Sequence, residues 1–128
     1  MKDFTTLYDG NGMTLSYARE DNDVIVFKVQ TSSYTYSGLD VGFSGAAYFL
    51  FTEEIEEKYC KKLSRMYETL SGECLIMDCE FGNELKLYFE GRQLKIEVKA
   101  PNSDVCFEFE GDVDQTIIPP IISMMKNN

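Results

Sequence analysis

Apolar and polar residues alternate with a period of two through most of this chain. The segments Met13–Tyr17 and Val24–Thr31 both alternate in this way, which is typical of half-buried β-strands. Val24–Thr31 begins apolar on both faces, which predicts a central strand or one covered on both sides. Phe4–Tyr8 is predicted to be a short first strand. Residues 32–45, rich in Ser, Gly and Tyr, are predicted to form an irregular strand with a loop.

The pattern changes to a helical period after residue 51. Apolar residues recur there at spacings of three or four, at Ile55, Tyr59, Leu63, Met66 and Leu70. This spacing predicts one apolar stripe along a helix. Thr52 suits the N-cap, and the glutamates that follow it favour the positive end of the helix dipole. Gly72 is expected to end the helix.

A second set of alternating segments follows, and short turns separate its members. These segments are Glu73–Glu80, Leu85–Phe89, Leu94–Val98 and Val105–Phe109. Such a meander favours an antiparallel sheet with one solvated face.

The chain closes with a helical segment over Asp114–Met125. Asp114 or Thr116 can cap it, and Pro119 and Pro120 fit only in its first turn, so the helix proper is short. The fold class predicted for residues 1–128 is α+β in a single domain. It consists of a predominantly antiparallel β-sheet of about seven or eight strands, one long amphipathic helix over about residues 52–71 packed on it, and a short C-terminal helix.

The net charge of the chain indicates which classes of partner it can bind. The chain has 12 Lys and Arg against 22 Asp and Glu, a net charge of −10. Nucleic-acid affinity is built mainly from Lys and Arg, so we expect no direct contact with nucleic acid. The negative charge points instead to a basic partner, or simply to solubility. No apolar run approaches the ~20 residues of a membrane span, and the N-terminus has no export signal. These features predict a cytoplasmic protein that does not bind membranes.

The absence of histidine removes most routes to enzymatic chemistry. It excludes Ser-His-Asp triads, Cys-His pairs and histidine metal ligands. The sequence also has no phosphate-binding glycine loop and no nucleophile elbow. We therefore expect no catalytic residue, no cofactor and no enzymatic activity.

Four cysteines, Cys60, Cys74, Cys79 and Cys106, raise the alternative of a zinc site. Cys74 and Cys79 are separated by an odd offset, which places them on opposite faces of a continuous strand. Buried free thiols in a reducing compartment are therefore the favoured interpretation.

Two sets of residues are candidates for partner binding. The first is the acidic run Asp104, Glu108, Glu110 and Asp112, which either steers a basic partner or forms a solvated strand face. The second is Tyr34 and Tyr36. Tyrosines among Ser and Gly are typical of binding loops, but alternating tyrosines also occur on ordinary sheet surfaces.

The order of features in residues 46–125 matches a known family. The helix ends in Leu70-Ser71-Gly72, the meander closes with Phe107-Glu108-Phe109, and the segment Asp114-Gln115-Thr116-Ile117-Ile118-Pro119 follows. In this order the chain resembles the WapI-like group of bacterial immunity proteins. It departs from the group in having no tryptophan before the helix and a second proline at position 120.

The resemblance implies a stoichiometric inhibitor with no active site. The implied partner is a cognate toxin, a basic and nuclease-type domain delivered by a neighbouring cell, and the implied inhibitor is a monomer rather than a homodimer. Two alternatives remain open. One is an acidic secretion chaperone or adaptor that binds an effector segment as a homodimer, and the other is an enzyme that uses carboxylates or thiolates alone.

Overall fold

The chain folds into two antiparallel sheets, two helices and a small ribbon. The structure is a computed structural model that describes residues 3–20, 24–31, 34–36, 39–51, 53–78, 80–101 and 106–126. For residues 34–36, 39–41 and 53–56 it describes the backbone only. The α+β class and the antiparallel pairing predicted from the sequence are confirmed.

The first sheet comes almost entirely from the N-terminal part of the chain. Its strands, in spatial order, are β1 (Thr5–Gly10), β2 (Met13–Arg19), β3 (Val24–Thr31) and β6 (Ser44–Leu50). The intervening β4 (Tyr34–Tyr36) and β5 (Leu39–Val41) pair only with each other among the described strands. As predicted, β3 is central, since it pairs with both β2 and β6.

The second sheet is a meander of consecutive strands. Its order is β7 (Glu73–Met77), β8 (Glu84–Glu90), β9 (Gln93–Ala100) and β10 (Phe107–Val113). Helix α1 (Glu53–Thr69) connects the two sheets. A 3-10 turn (Gln115–Ile117) and helix α2 (Ile118–Lys126) close the chain.

The prediction of one sheet of seven or eight strands is wrong, because the strands divide into two sheets of four. A sheet of eight strands would be about 35 Å wide. The 17 residues of α1 extend only about 25 Å, so this helix could not cover such a sheet. Two smaller sheets instead bury their apolar faces with both helices in one hydrophobic cluster. Its largest fully buried side chains are Leu15, Ile25, Phe27, Phe49, Leu63, Ile76, Leu85, Leu87, Leu94, Ile96, Ile117 and Ile118.

The prediction of a single long helix is not matched either. The C-terminal helical segment, from Gln115 to Lys126, is comparable in length to the part of α1 whose side chains are described, and the two helices contact each other. Helix α1 ends at Thr69 rather than at residue 71, because Leu70 turns into the left-handed region at φ 53°. Its N–H donates to the carbonyl of Met66 over 2.8 Å, which is the αL ending of a helix.

At the end of β10, Asp114 caps the closing helical segment as expected. Its carboxylate accepts a hydrogen bond from the Thr116 N–H at 2.9 Å. Pro119 and Pro120 lie in the first turn of α2. Strand β10 ends next to this cap, at Val113, and so runs beyond the predicted limit of Phe109.

Candidate functional site

The strands of the second sheet divide their residues between a buried face and a solvated one. We call the solvated side the outer face. It consists of Glu73, Leu75 and Met77 on β7, Glu84, Lys86, Tyr88 and Glu90 on β8, Gln93, Lys95, Glu97 and Lys99 on β9, and Glu108, Glu110 and Asp112 on β10. Carboxylates outnumber lysines here, so the outer face is acidic.

Three lysines neutralise part of this charge. Lys86 lies 3.4 Å from Glu73, and Lys99 lies 3.3 Å from Glu97. Lys95 bridges two strands, with its Nζ 3.4 Å from Asp112 and 3.8 Å from Glu90. Exposed pairs of this kind contribute little to stability. Their importance lies in which carboxylates they leave without a neighbouring cation.

These contacts shift the pKa values of the lysines. A hydrogen bond to Asp112, followed by the charges of Asp112 and Glu90, raises the pKa of Lys95. A hydrogen bond to Glu97, with the charges of Glu97 and then Glu108, raises the pKa of Lys99. Both lysines therefore hold their protons more tightly than an ordinary lysine does.

Glu110 is the least compensated carboxylate of this pattern. In the register of the sheet, Glu108 lies opposite Lys99 and Asp112 lies opposite Lys95, but Glu110 lies opposite Glu97. Like charges directly across an antiparallel pair are destabilising. Glu97 is bonded to Lys99 and also lies opposite Lys86 of β8, whereas the register places no lysine directly opposite Glu110 on β9. An external cation beside Glu110 would relieve this repulsion.

Strand β10 also forms an edge of its sheet and crosses one end of the first sheet. A Cβ built on Gly45 of β6 would lie 2.9 Å from the Phe107 ring, and one built on Gly111 would lie 2.5 Å from Met13 of β2. A side chain at Gly45 would have to displace the rings of Phe107 and Phe43, whereas at Gly111 the closest atom is the flexible end of the Met13 side chain, which can move. The side-chain Nδ2 of Asn11, in the β1–β2 turn, donates to the carbonyl of Asp112 at 2.9 Å.

A groove of about 450 Å³ runs between β10 and the β1–β2 turn. It is lined by Asn11, Gly12, Met13, Thr31, Phe109, Glu110, Gly111 and Asp112. Phe109 is half-buried, and its ring stacks on Phe43 with 6.4 Å between centroids and 7° between planes. The groove thus joins an aromatic wall to an acidic rim.

The structure brings together only part of the predicted partner-binding set. Glu108, Glu110 and Asp112 are exposed on the same face of β10. Asp104 lies outside the described residues. Tyr34 and Tyr36 are on β4, which pairs with β5 and not with the second sheet, and their side chains lie outside the described part of the chain.

The prediction of buried cysteines is confirmed at Cys60 and Cys74 and is wrong at Cys106. Cys106 precedes β10 at the rim of the sheet, where its thiol is exposed and donates to the carbonyl of Pro101 at 2.9 Å. Burial raises the pKa of Cys74 to about 11. Cys79 lies outside the described residues, and no group of described residues could hold a metal ion.

Two further surfaces differ in character from the outer face. The solvent side of α1 carries charges of both signs, with Lys58, Lys61, Lys62 and Arg65 exposed beside Glu57 and Glu68 and with Lys61 3.5 Å from Glu57. Around β7, exposed apolar side chains include Leu70, Leu75 and Met77, which are 50%, 38% and 48% exposed.

The sequence did not identify the β9 residues that lie opposite the acidic residues of β10. Glu97, Lys95 and Lys99 alternate on β9, and this alternation is visible in the sequence. Their partners on β10 depend on the register, which the sequence does not specify here. The contact of β10 with Asn11 joins positions 101 residues apart and has no local sequence signal.

No protein-family model, curated protein or solved structure matches the chain. Among the described residues, no helix is both long enough and apolar enough to cross a membrane.

Proposed function

We propose that this protein is an immunity protein that binds and neutralises a cognate bacterial toxin by stoichiometric occlusion. The proposed partner is a basic, nuclease-type domain. The observation that carries the proposal is the acidic outer face, with Glu108, Glu110 and Asp112 exposed along its edge strand. The sequence resemblance to WapI-like immunity proteins supports the same function.

The charge pattern suits capture of a basic protein. Complementary surface potentials accelerate encounter and fix orientation. The lifetime of the complex depends on buried contacts at the centre of the interface, for which the groove beside Phe109 offers an aromatic wall. The proposed inhibitor is cytoplasmic, monomeric and non-catalytic, and requires no cofactor.

A second candidate, the secretion chaperone or adaptor, is favoured by the apolar side chains around β7. Leu75 and Met77 project from an edge strand, and Leu70 follows at the end of α1. A homodimer could bury such a surface. Sedimentation equilibrium separates the two functions, since the immunity protein is expected to be a monomer and the chaperone a dimer.

Co-expression with the toxin-like reading frame that neighbours its gene tests the proposal. Rescue of growth, together with a one-to-one complex on purification, is the expected result. A neutral partner, or a complex whose association rate is insensitive to salt, would contradict the electrostatic part of the proposal. Co-purification without toxicity of the partner would favour the chaperone.

A further inference from the structure

Among the described strands only β9 pairs with β10, and the other edge of β10 suggests how the basic partner is held. We propose that the partner supplies an extended segment that pairs with β10 as a fifth strand and directs alternate Lys or Arg side chains at Glu108, Glu110 and Asp112. This inference rests on the proposed function and specifies the chemistry of its binding surface.

The orientation of the β10 backbone is the first step. The Asp112 carbonyl accepts a hydrogen bond from Asn11, a residue outside the second sheet, so this carbonyl points away from β9. In an antiparallel ladder, residues two apart point their N–H and C=O groups in the same direction. The main-chain groups of Glu108 and Glu110 therefore also point to the open edge, where an added strand would bond to them.

The opposite edge of the sheet is less suitable. The outward N–H of Met77 on β7 donates to the Tyr59 hydroxyl of α1 at 3.1 Å. Each edge thus has one outward main-chain group engaged, Met77 by α1 and Asp112 by Asn11, so it is the side chains that distinguish the two edges. Leu75 and Met77 would offer an added strand apolar rather than acidic neighbours.

Charge then specifies the side chains of the added strand. Residues i, i+2 and i+4 of a strand share one face, so neighbours of Glu108, Glu110 and Asp112 occupy alternate positions. Glu110 lies opposite Glu97 on β9. A Lys or Arg on the added strand next to Glu110 would place a cation beside these two carboxylates. The binding segment should therefore have basic residues at every second position.

The intervening side chains of the segment would face the groove. Phe109 lines it from β10, while Met13 and Thr31 line it from the first sheet. Because Phe109 is only half-buried, apolar residues at the intervening positions would bury more of its ring. The expected segment thus alternates basic and apolar residues.

Synthetic peptides test this inference without the toxin. The first probe is a peptide in which arginine and valine alternate, and the second has the same composition with its arginines contiguous. Both carry the same charge, so general attraction to an acidic protein affects them equally. Binding is measured by NMR titration, and amide hydrogen exchange is measured at Glu108 and Glu110.

We expect the alternating peptide to bind about tenfold more tightly than the contiguous one, because each of its arginines beside a carboxylate of β10 adds a favourable cross-strand pair. It should also protect the Glu108 and Glu110 amides from exchange. Glu110→Gln should weaken its binding several-fold, whereas the matched control Glu68→Gln on α1 should not. Equal affinity of the two peptides, or shifts spread over the whole acidic surface, would overturn the inference.

The outcomes also separate this inference from the proposed function. If the peptides bind alike while the protein still neutralises its toxin, strand addition is wrong and the function stands. If the alternating peptide binds at β10 but the neighbouring reading frame encodes no toxin, the binding mode stands and the proposed function fails.

Discussion

At the scale of single residues, Asp78 organises the turn between β7 and β8. Its carboxylate accepts hydrogen bonds from the backbone N–H groups of Glu80 at 2.7 Å, Asn83 at 2.6 Å, and Phe81. Asn83 is buried, and its side chain donates to the carbonyl of Tyr48 on β6 at 2.9 Å. The turn therefore links the two sheets.

Replacing Asp78 by alanine should lower the free energy of unfolding by about 2 kcal/mol, because hydrogen bonds to a charged acceptor contribute roughly 1.5–3 kcal/mol. Urea denaturation measures the change. Asp78→Asn keeps one acceptor oxygen and should lie between the wild type and Asp78→Ala. An unchanged unfolding midpoint in Asp78→Ala would show that the carboxylate does not hold the turn.

The buried thiol of Cys74 provides a prediction about pH. Because burial raises its pKa from 9.0 to about 11, the folded protein binds this proton more tightly than the unfolded chain does. The thiol therefore lowers stability as pH rises from about 9 to 11 and has no such effect at neutral pH.

Thiol alkylation followed by peptide mapping measures how accessible each cysteine is in the folded protein. At a pH of about 8, near the ordinary thiol pKa, exposed Cys106 should react readily, and Cys74 only after addition of denaturant. Cys74→Ala should remove part of the stability loss between pH 9 and 11. Rapid alkylation of Cys74 in the folded protein would contradict its burial.

At the scale of elements, β10 combines a structural role with an exposed acidic face. Its buried residues contact the first sheet, while Glu108, Glu110 and Asp112 face solvent. Glu110 weakens the strand pairing by facing Glu97. A surface selected for partner binding can retain such a cost because binding sites often sacrifice stability.

Reversing single charges on β10 distinguishes the repulsion between Glu110 and Glu97 from a general effect of net charge on stability. Glu110→Lys should raise the free energy of unfolding by about 0.5 kcal/mol, since it places unlike charges opposite each other. Glu108→Lys is the matched control and should lower it by a similar amount, because it places a lysine opposite Lys99. Both variants should bind the basic partner less well. Equal changes in stability would show that net charge, rather than register, dominates.

The strands and helices could largely be predicted from local sequence, but their assembly could not. The period of two predicted β2, β3, β8 and β9. Strands β8 and β9 bury one face as alternation requires, whereas β2 also buries Ser16 and Ala18 and β3 also buries Val26 on the other face. Strand β6 was missed, because its exposed residues Ala46 and Tyr48, which alternate with buried Ala47 and Phe49, are also apolar and obscure the alternation. The division into two sheets depends on which strands pair, and alternation does not encode pairing.

The candidate site shows the same limit. An acidic run was visible in the sequence, but the position of Glu110 opposite Glu97 depends on the register of β9 and β10. The groove depends on the crossing of β10 over the first sheet, through contacts such as that between Gly111 and Met13. Contacts this distant in sequence arise only when the whole chain folds.

At the scale of the whole molecule, charge is unevenly distributed. The net charge is −10, yet the solvent side of α1 exposes Lys58, Lys61, Lys62 and Arg65. An acidic outer face would orient the molecule as it approaches a basic partner. Such steering acts over about 8 Å at physiological ionic strength and weakens as salt is added.

If the outer face captures and neutralises a basic toxin, rescue of growth should depend on the carboxylates of β10. Growth is measured in cells that express the neighbouring toxin-like reading frame together with either the wild type or the triple variant Glu108→Gln, Glu110→Gln, Asp112→Gln. The control variant has Glu57, Glu68 and Glu80 changed to Gln, since it removes the same number of exposed negative charges away from β10. We expect rescue by the wild type and the control variant, and loss of rescue by the β10 variant even though it folds. Equal rescue by all three proteins, or no rescue by any, would contradict the proposed capture.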